Sequence, residues 1–132
     1  MSNYDFSGDR IFESLKGQPI AKINGIEKGS ERIDIETADG RAFYMHHVSD
    51  CCESVSVEDV SGDIADIIGN PLTLAEVVTD SDEKTRPSEY ADSWTWTYYK
   101  LATNKGYLTI RWLGESNGYY SEAVDFVEVG KE

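Results

Sequence analysis

The sequence predicts a single α+β domain, mostly antiparallel β-sheet, with a short N-terminal helix and a second short helix. Three observations lead there. The chain has 132 residues, enough for one domain with its own core. Eight Tyr and three Trp against three Pro favour strands. Apolar residues alternate with a period of two over most of the chain, and helical spacing occurs in two short stretches. The domain is expected to span 1–132, with residues 1–8 disordered.

The first helix is expected from Asp9 to Lys16, with Ile11, Phe12 and Leu15 on one face. Gly17 is a natural stop, and Pro19 prevents continuation. From Pro19 to Lys28 the pattern turns strand-like, with Ile20 and Ile23 apolar and Gly25 at a bulge. Lys28-Gly29-Ser30 is a turn. In ERIDIET, Ile33 and Ile35 point inward and Asp34 and Glu36 outward. Asp39-Gly40 signals a hairpin returning as RAFYMHHV. In that strand Phe43, Met45 and His47 share one face, and Tyr44, His46 and Val48 the other.

SVSVEDV alternates again, with Val55 and Val57 inward. Asp63 to Ile68 is the second expected helix, with Ile64, Ile67 and Ile68 as its apolar face. Ser61 or Asp63 would cap it, and Gly69-Asn70-Pro71 ends it. PLTLAEVVT is expected as a strand with Leu72 and Leu74 on one face. Asp80 to Ser93 is the longest loop, placed for mobility or partner contact. WTWTYYKLAT, YLTIRWLG and YYSEAVDFVEV are expected to form a three-stranded meander. Asn104-Lys105-Gly106 and Asn117-Gly118 would supply its turns.

Twelve basic residues against twenty-five acidic ones give a formal net charge of −13. That field repels a nucleic-acid backbone or an anionic membrane, so direct contact with either is not expected. No apolar run approaches the roughly 18 residues of a membrane span. The N-terminal residues lack the basic-then-apolar order of a signal peptide, so a cytoplasmic protein is expected. The charge suits a basic protein partner, with carboxylates standing in for phosphates; solubility alone is the plainer reading. The expected protein-binding residues are Glu58, Asp59, Asp63 and Asp66, with Asp80, Asp82, Glu83, Glu89 and Asp92 in the long loop.

Both histidines and both cysteines fall between His46 and Cys52. Zinc is the cofactor that such ligands would hold, through His47, Asp50, Cys51 and Cys52. The spacing departs from known patterns, because the cysteines are adjacent and so are the histidines. The leading expectation is therefore no cofactor, with the cysteines packed as small apolar groups in a buried turn. In a reducing cytosol their thiols are expected to stay free. Asp50 and Glu53 would raise a thiol pKa, which argues against a redox role, and nothing sets an oxyanion hole for a Cys-His nucleophile. Glu58, Asp59, Asp63 and Asp66 lack the residue order of an EF-hand loop. Trp94, Trp96, Tyr98, Tyr99, Trp112, Tyr119 and Tyr120 divide between core and an exposed stacking or anchoring platform.

Two stretches, Asp50 to Asp63 and Tyr98 to Phe126, resemble a family of small bacteriophage and prophage proteins without established activity. The motifs Asp50-Cys51-Cys52-Glu53 and Ser116-Asn117-Gly118-Tyr119-Tyr120-Ser121-Glu122 carry the resemblance. It implies a phage accessory protein in a bacterial cytoplasm and supplies no catalytic residues. By analogy, small acidic phage proteins inhibit restriction, CRISPR or other host defence, some by imitating DNA. The expectation is a non-catalytic acidic binding protein directed at a basic host protein. The alternatives are the metal site above and a structural or small-ligand-sequestering protein.

Overall fold

The computed structural model describes residues 7–49 and 51–130. Strands β1 (Ile20–Asn24), β2 (Arg32–Thr37), β3 (Ala42–His46) and β8 (Asp125–Glu128) form one sheet in the order β1-β2-β3-β8. Strands β4 (Ser54–Gly62), β5 (Leu74–Asp80), β6 (Ser93–Ala102) and β7 (Tyr107–Ser116) form a second in the order β4-β7-β6-β5. Every strand pairing is antiparallel.

Alternation along the strands gives each sheet one apolar face. Ile33, Ile35, Phe43, Met45 and Phe126 from the first sheet meet Val57, Tyr99, Leu101, Leu108, Ile110 and Trp112 from the second in one core. Two sheets sharing one core make a β-sandwich. Each large side chain fully buried there contributes about 1.5–3 kcal/mol of apolar transfer.

The two sides of the sandwich close differently. On one side the edge strands are β5 and β8, and helix α1 (Ser7–Glu13) packs against both. Phe12 sits edge-on to Tyr99 at 4.9 Å and to Phe126 at 5.2 Å between ring centres. On the other side the turn after β1 hooks onto β4. There the Gly29 N–H donates to the Val57 carbonyl at 2.7 Å, and the Val57 N–H to the Ser30 carbonyl at 2.8 Å.

The fold class is thus corrected from α+β to a nearly all-β sandwich with one short helix among the described residues. The second expected helix is a single 3-10 turn, Ile64–Asp66, capped by the Asp63 carboxylate, which accepts from the Ala65 N–H. The backbone after it goes to tertiary partners: Ile68 bridges Ile20, and the Gly69 N–H donates to the Ile20 carbonyl. Between Gly62 and Gly69 there is too little chain to offset helix nucleation. The first helix starts earlier than expected, at Ser7, so residues 7 and 8 belong to it; residues 1–6 lie outside the described residues.

The C-terminal meander is also corrected. β6 and β7 pair as expected, but β7 already has β4 on its other side. The last strand finds no free edge there and crosses to β3 in the other sheet. Leu72 and Leu74 do not share a face: Leu72 is buried before β5 begins, whereas Leu74 is 39% exposed and Ala75 takes the inward position.

Candidate functional site

His46 ends β3, and His47 begins the crossing to β4. The His47 ring is buried and uses both nitrogens. Nδ1 lies 2.7 Å from the Ala123 carbonyl and Nε2 lies 3.0 Å from Glu53 Oε2. A carbonyl only accepts, so Nδ1 carries a hydrogen. One proton is then held between Nε2 and the Glu53 carboxylate, whichever of the two it sits on. The Cys51 N–H donates to the other Glu53 oxygen at 2.9 Å. The arrangement ties the β3–β4 crossing to the segment before β8.

This geometry leaves His47 no ring nitrogen open to a metal. Cys51 and Cys52 are joined to each other, which corrects the expectation of free thiols. Both are exposed rather than packed in a buried turn. Asp50 lies outside the described residues, and no group of three or more ligating side chains occurs among those described. His46 points to the opposite side of the sheet, edge-on to Tyr44 at 4.9 Å between ring centres.

The two acidic stretches do not meet. Glu58, Asp59, Asp63 and Asp66 lie along β4 and past its end, beside the β6–β7 turn; Asp80 to Asp92 lies at the far end of β5. Three strand spacings across and about six residues along separate the two corners, roughly 25 Å. At the first corner the carboxylates have internal roles. Glu58 is 3.7 Å from Lys28, Asp59 is 3.5 Å from Arg111, and Asp63 caps the 3-10 turn. Asp66 is half-buried against Gly106.

The second corner is built as a display. Along β6 the Tyr99–Leu101 phase faces the core, so Trp94, Trp96 and Tyr98 face outward. Residues 81–92 fold back over the two tryptophans. The Trp94 indole N–H donates to the Asp82 carbonyl at 3.3 Å, and the Trp96 indole N–H to the Thr85 carbonyl at 2.7 Å. Arg86 lies over the Trp94 ring at 4.7 Å, and Ala91 is buried with the pair. Asp82 caps a 3-10 turn at Glu83–Thr85, accepting from the Lys84 N–H. The loop is therefore anchored, and the indole N–H groups that burial would have left unpaired are what anchor it.

Held this way, the loop presents Glu89, Tyr90 and Asp92 to solvent, with Tyr90 85% exposed. Ser93 pairs with Ser116, so the 117–120 turn sits beside it and adds Tyr119, 86% exposed. Sequence reasoning named the acidic residues of this end but missed that the tryptophans fasten them and that Tyr90 belongs with them. The signal was the phase of WTWTYYKLAT: placing Leu101 and Tyr99 inward forces Trp94 and Trp96 out.

That phase also turns Thr95 and Thr97 inward, where the sandwich opens into a cleft of about 280 Å³. Thr79 pairs with Thr97 across β5 and β6, so three hydroxyls line one wall. The segment Ser121–Val124 forms the other wall. Glu122 is 8% exposed and accepts from the hydroxyls of Thr95 (2.8 Å) and Ser116. Gly114 admits it: a Cβ there would lie 2.4 Å from the Glu122 carbonyl oxygen. The Tyr99 hydroxyl donates to the Val124 carbonyl at 3.4 Å, and His47 holds Ala123. Asp9 of α1 closes one end; burial, and then Glu13, raise its pKa above the ordinary 3.8. Ser116, Ser121 and Glu122 belong to a motif quoted from the sequence, whereas the wall of Thr79, Thr95 and Thr97 and the part played by Asp9 were not anticipated.

A family model described as a domain of unknown function, DUF7448, matches residues 13–126. No curated protein and no solved structure matches the chain significantly.

Proposed function

We propose that this chain, which belongs to the DUF7448 family, is a non-catalytic acidic protein that binds a basic protein partner through the end formed by residues 80–93 and 116–120. The observation that carries the reading is the fastening of an acidic, tyrosine-bearing loop onto two tryptophans. An interface loop held before binding loses less entropy on association. Tyrosine and carboxylate together suit arginine and lysine: the ring offers a cation its face, and the carboxylate its charge. Lys84 and Arg86 offset part of the loop's charge, and Arg86 pairs with Glu83, while Glu89 and Asp92 pair with no basic residue among those described. Four of the five arginines, Arg32, Arg41, Arg86 and Arg111, pair with carboxylates within the protein.

On this reading the partner is a nucleic-acid-binding host protein in a bacterial cytoplasm, whose DNA or RNA site accepts carboxylates in place of phosphates; the resemblance to phage proteins supports it. The test is capture of host proteins on the immobilised chain, followed by displacement with duplex DNA and by salt. A partner that DNA displaces, and whose affinity falls steeply between about 50 mM and 150 mM salt, supports the reading. A partner held equally at both salt concentrations contradicts it.

A further inference from the structure

We infer that the cleft between the inward threonines of β5 and β6 and the Ser121–Val124 segment binds an aliphatic ammonium group. The site is rich in acceptors and holds no cation: Asp9, Glu122 and the hydroxyls line it, and no lysine or arginine lines it among the described residues. Asp9 has no ion pair with a described residue to answer its charge. Thr97 is only 3% exposed and lines the cleft, and its hydroxyl makes no hydrogen bond to a described residue. Thr97 therefore lines the cleft with hydrogen-bonding capacity left over. Glu122 accepts one hydroxyl on each oxygen and still has lone pairs to offer.

The walls are set before any ligand arrives. Glu122 is held by Ser116 and, from the facing wall, by Thr95; Ala123 is held by His47 and Val124 by Tyr99. Such support is what keeps a polar site open instead of collapsed. A volume of about 280 Å³ exceeds an ammonium head alone, and Val77 and Val124 offer apolar surface for a short stem. A donor-rich cation on an aliphatic chain matches both features. Its source is either a free alkyl amine or the side chain of a lysine on a bound protein. The inference needs only the cleft, so it stands or falls apart from the role proposed for the 80–93 loop.

The experiment is an amide NMR titration of the full chain with 1,5-diaminopentane, with pentan-1-ol as the uncharged control. Saturable shifts at Thr79, Thr97 and Val124 are expected for the diamine and not for the alcohol. Thr97→Val should weaken binding about fivefold and Asp9→Asn about tenfold or more, from the loss of a neutral and a charged hydrogen bond. Both substitutions nearly conserve shape, so folding is retained and is checked in the same spectra. No saturable shift at the cleft, or shifts scattered over surface carboxylates and unchanged in both variants, would overturn the inference. Nα-acetyl-lysine methylamide separates the sources: binding as tight as the diamine points to a protein lysine, and much weaker binding to a free amine.

Discussion

His47 shows how much one side chain holds here. Its ring links the Glu53 carboxylate, which is fully buried, to the Ala123 carbonyl. Removing the ring takes a hydrogen-bond partner from both the Glu53 carboxylate and the Ala123 carbonyl, so His47→Ala should cost at least about 2 kcal/mol in denaturant unfolding. A loss below about 1 kcal/mol would mean that the pair is solvated. Asp9 acts in the opposite sense. Its raised pKa means that the folded state binds its proton more tightly than the unfolded chain. That contribution is fully present below the ordinary carboxylate value of 3.8 and is lost as pH rises through the raised value. Asp9→Asn should therefore melt higher than the parent at neutral pH, with the difference vanishing in acid. Equal melting temperatures at neutral pH would remove the burial argument.

Among the elements, the fastening of residues 81–92 is the most open to test. Trp96→Phe keeps an aromatic six-membered ring and removes the indole N–H that donates to the Thr85 carbonyl, together with some ring volume. A cost of about 1 kcal/mol is expected. Faster amide exchange and proteolysis between residues 81 and 92 should follow, with β7 unaffected. Unchanged exchange in that segment would show that the indole does not hold it. The strands themselves were legible, because Ile33 and Ile35, Val55 and Val57, and Leu108, Ile110 and Trp112 alternate without ambiguity. The destination of β8 was not, because a local pattern says that a strand forms and not which edge remains free for it. The 63–68 segment misled for a similar reason. Its isoleucine spacing is helical, but the backbone is claimed by Ile20, a partner distant in sequence. At the candidate site the acidic residues were visible one by one, whereas the 25 Å or so between their two corners depends on strand order.

For the whole molecule, the charge of −13 and the internal pairing of the arginines leave carboxylates dominating the surface. The sandwich decides where that charge is displayed. The β4 corner uses its carboxylates for ion pairs and a cap, and the loop end displays Glu89 and Asp92 beside Tyr90 and Tyr119. The most direct measurement is the partner's affinity, at low and at physiological salt, for the parent and for two triple variants. One, Glu89→Gln with Tyr90→Ala and Asp92→Asn, alters the loop end. The other, Glu58→Gln with Asp59→Asn and Asp63→Asn, neutralises the β4 corner. The expected result is a loss of at least about tenfold and a shallower salt dependence for the first variant, with the second close to the parent. Equal losses in both variants, or none in the first, would contradict the assignment of the loop end as the binding site.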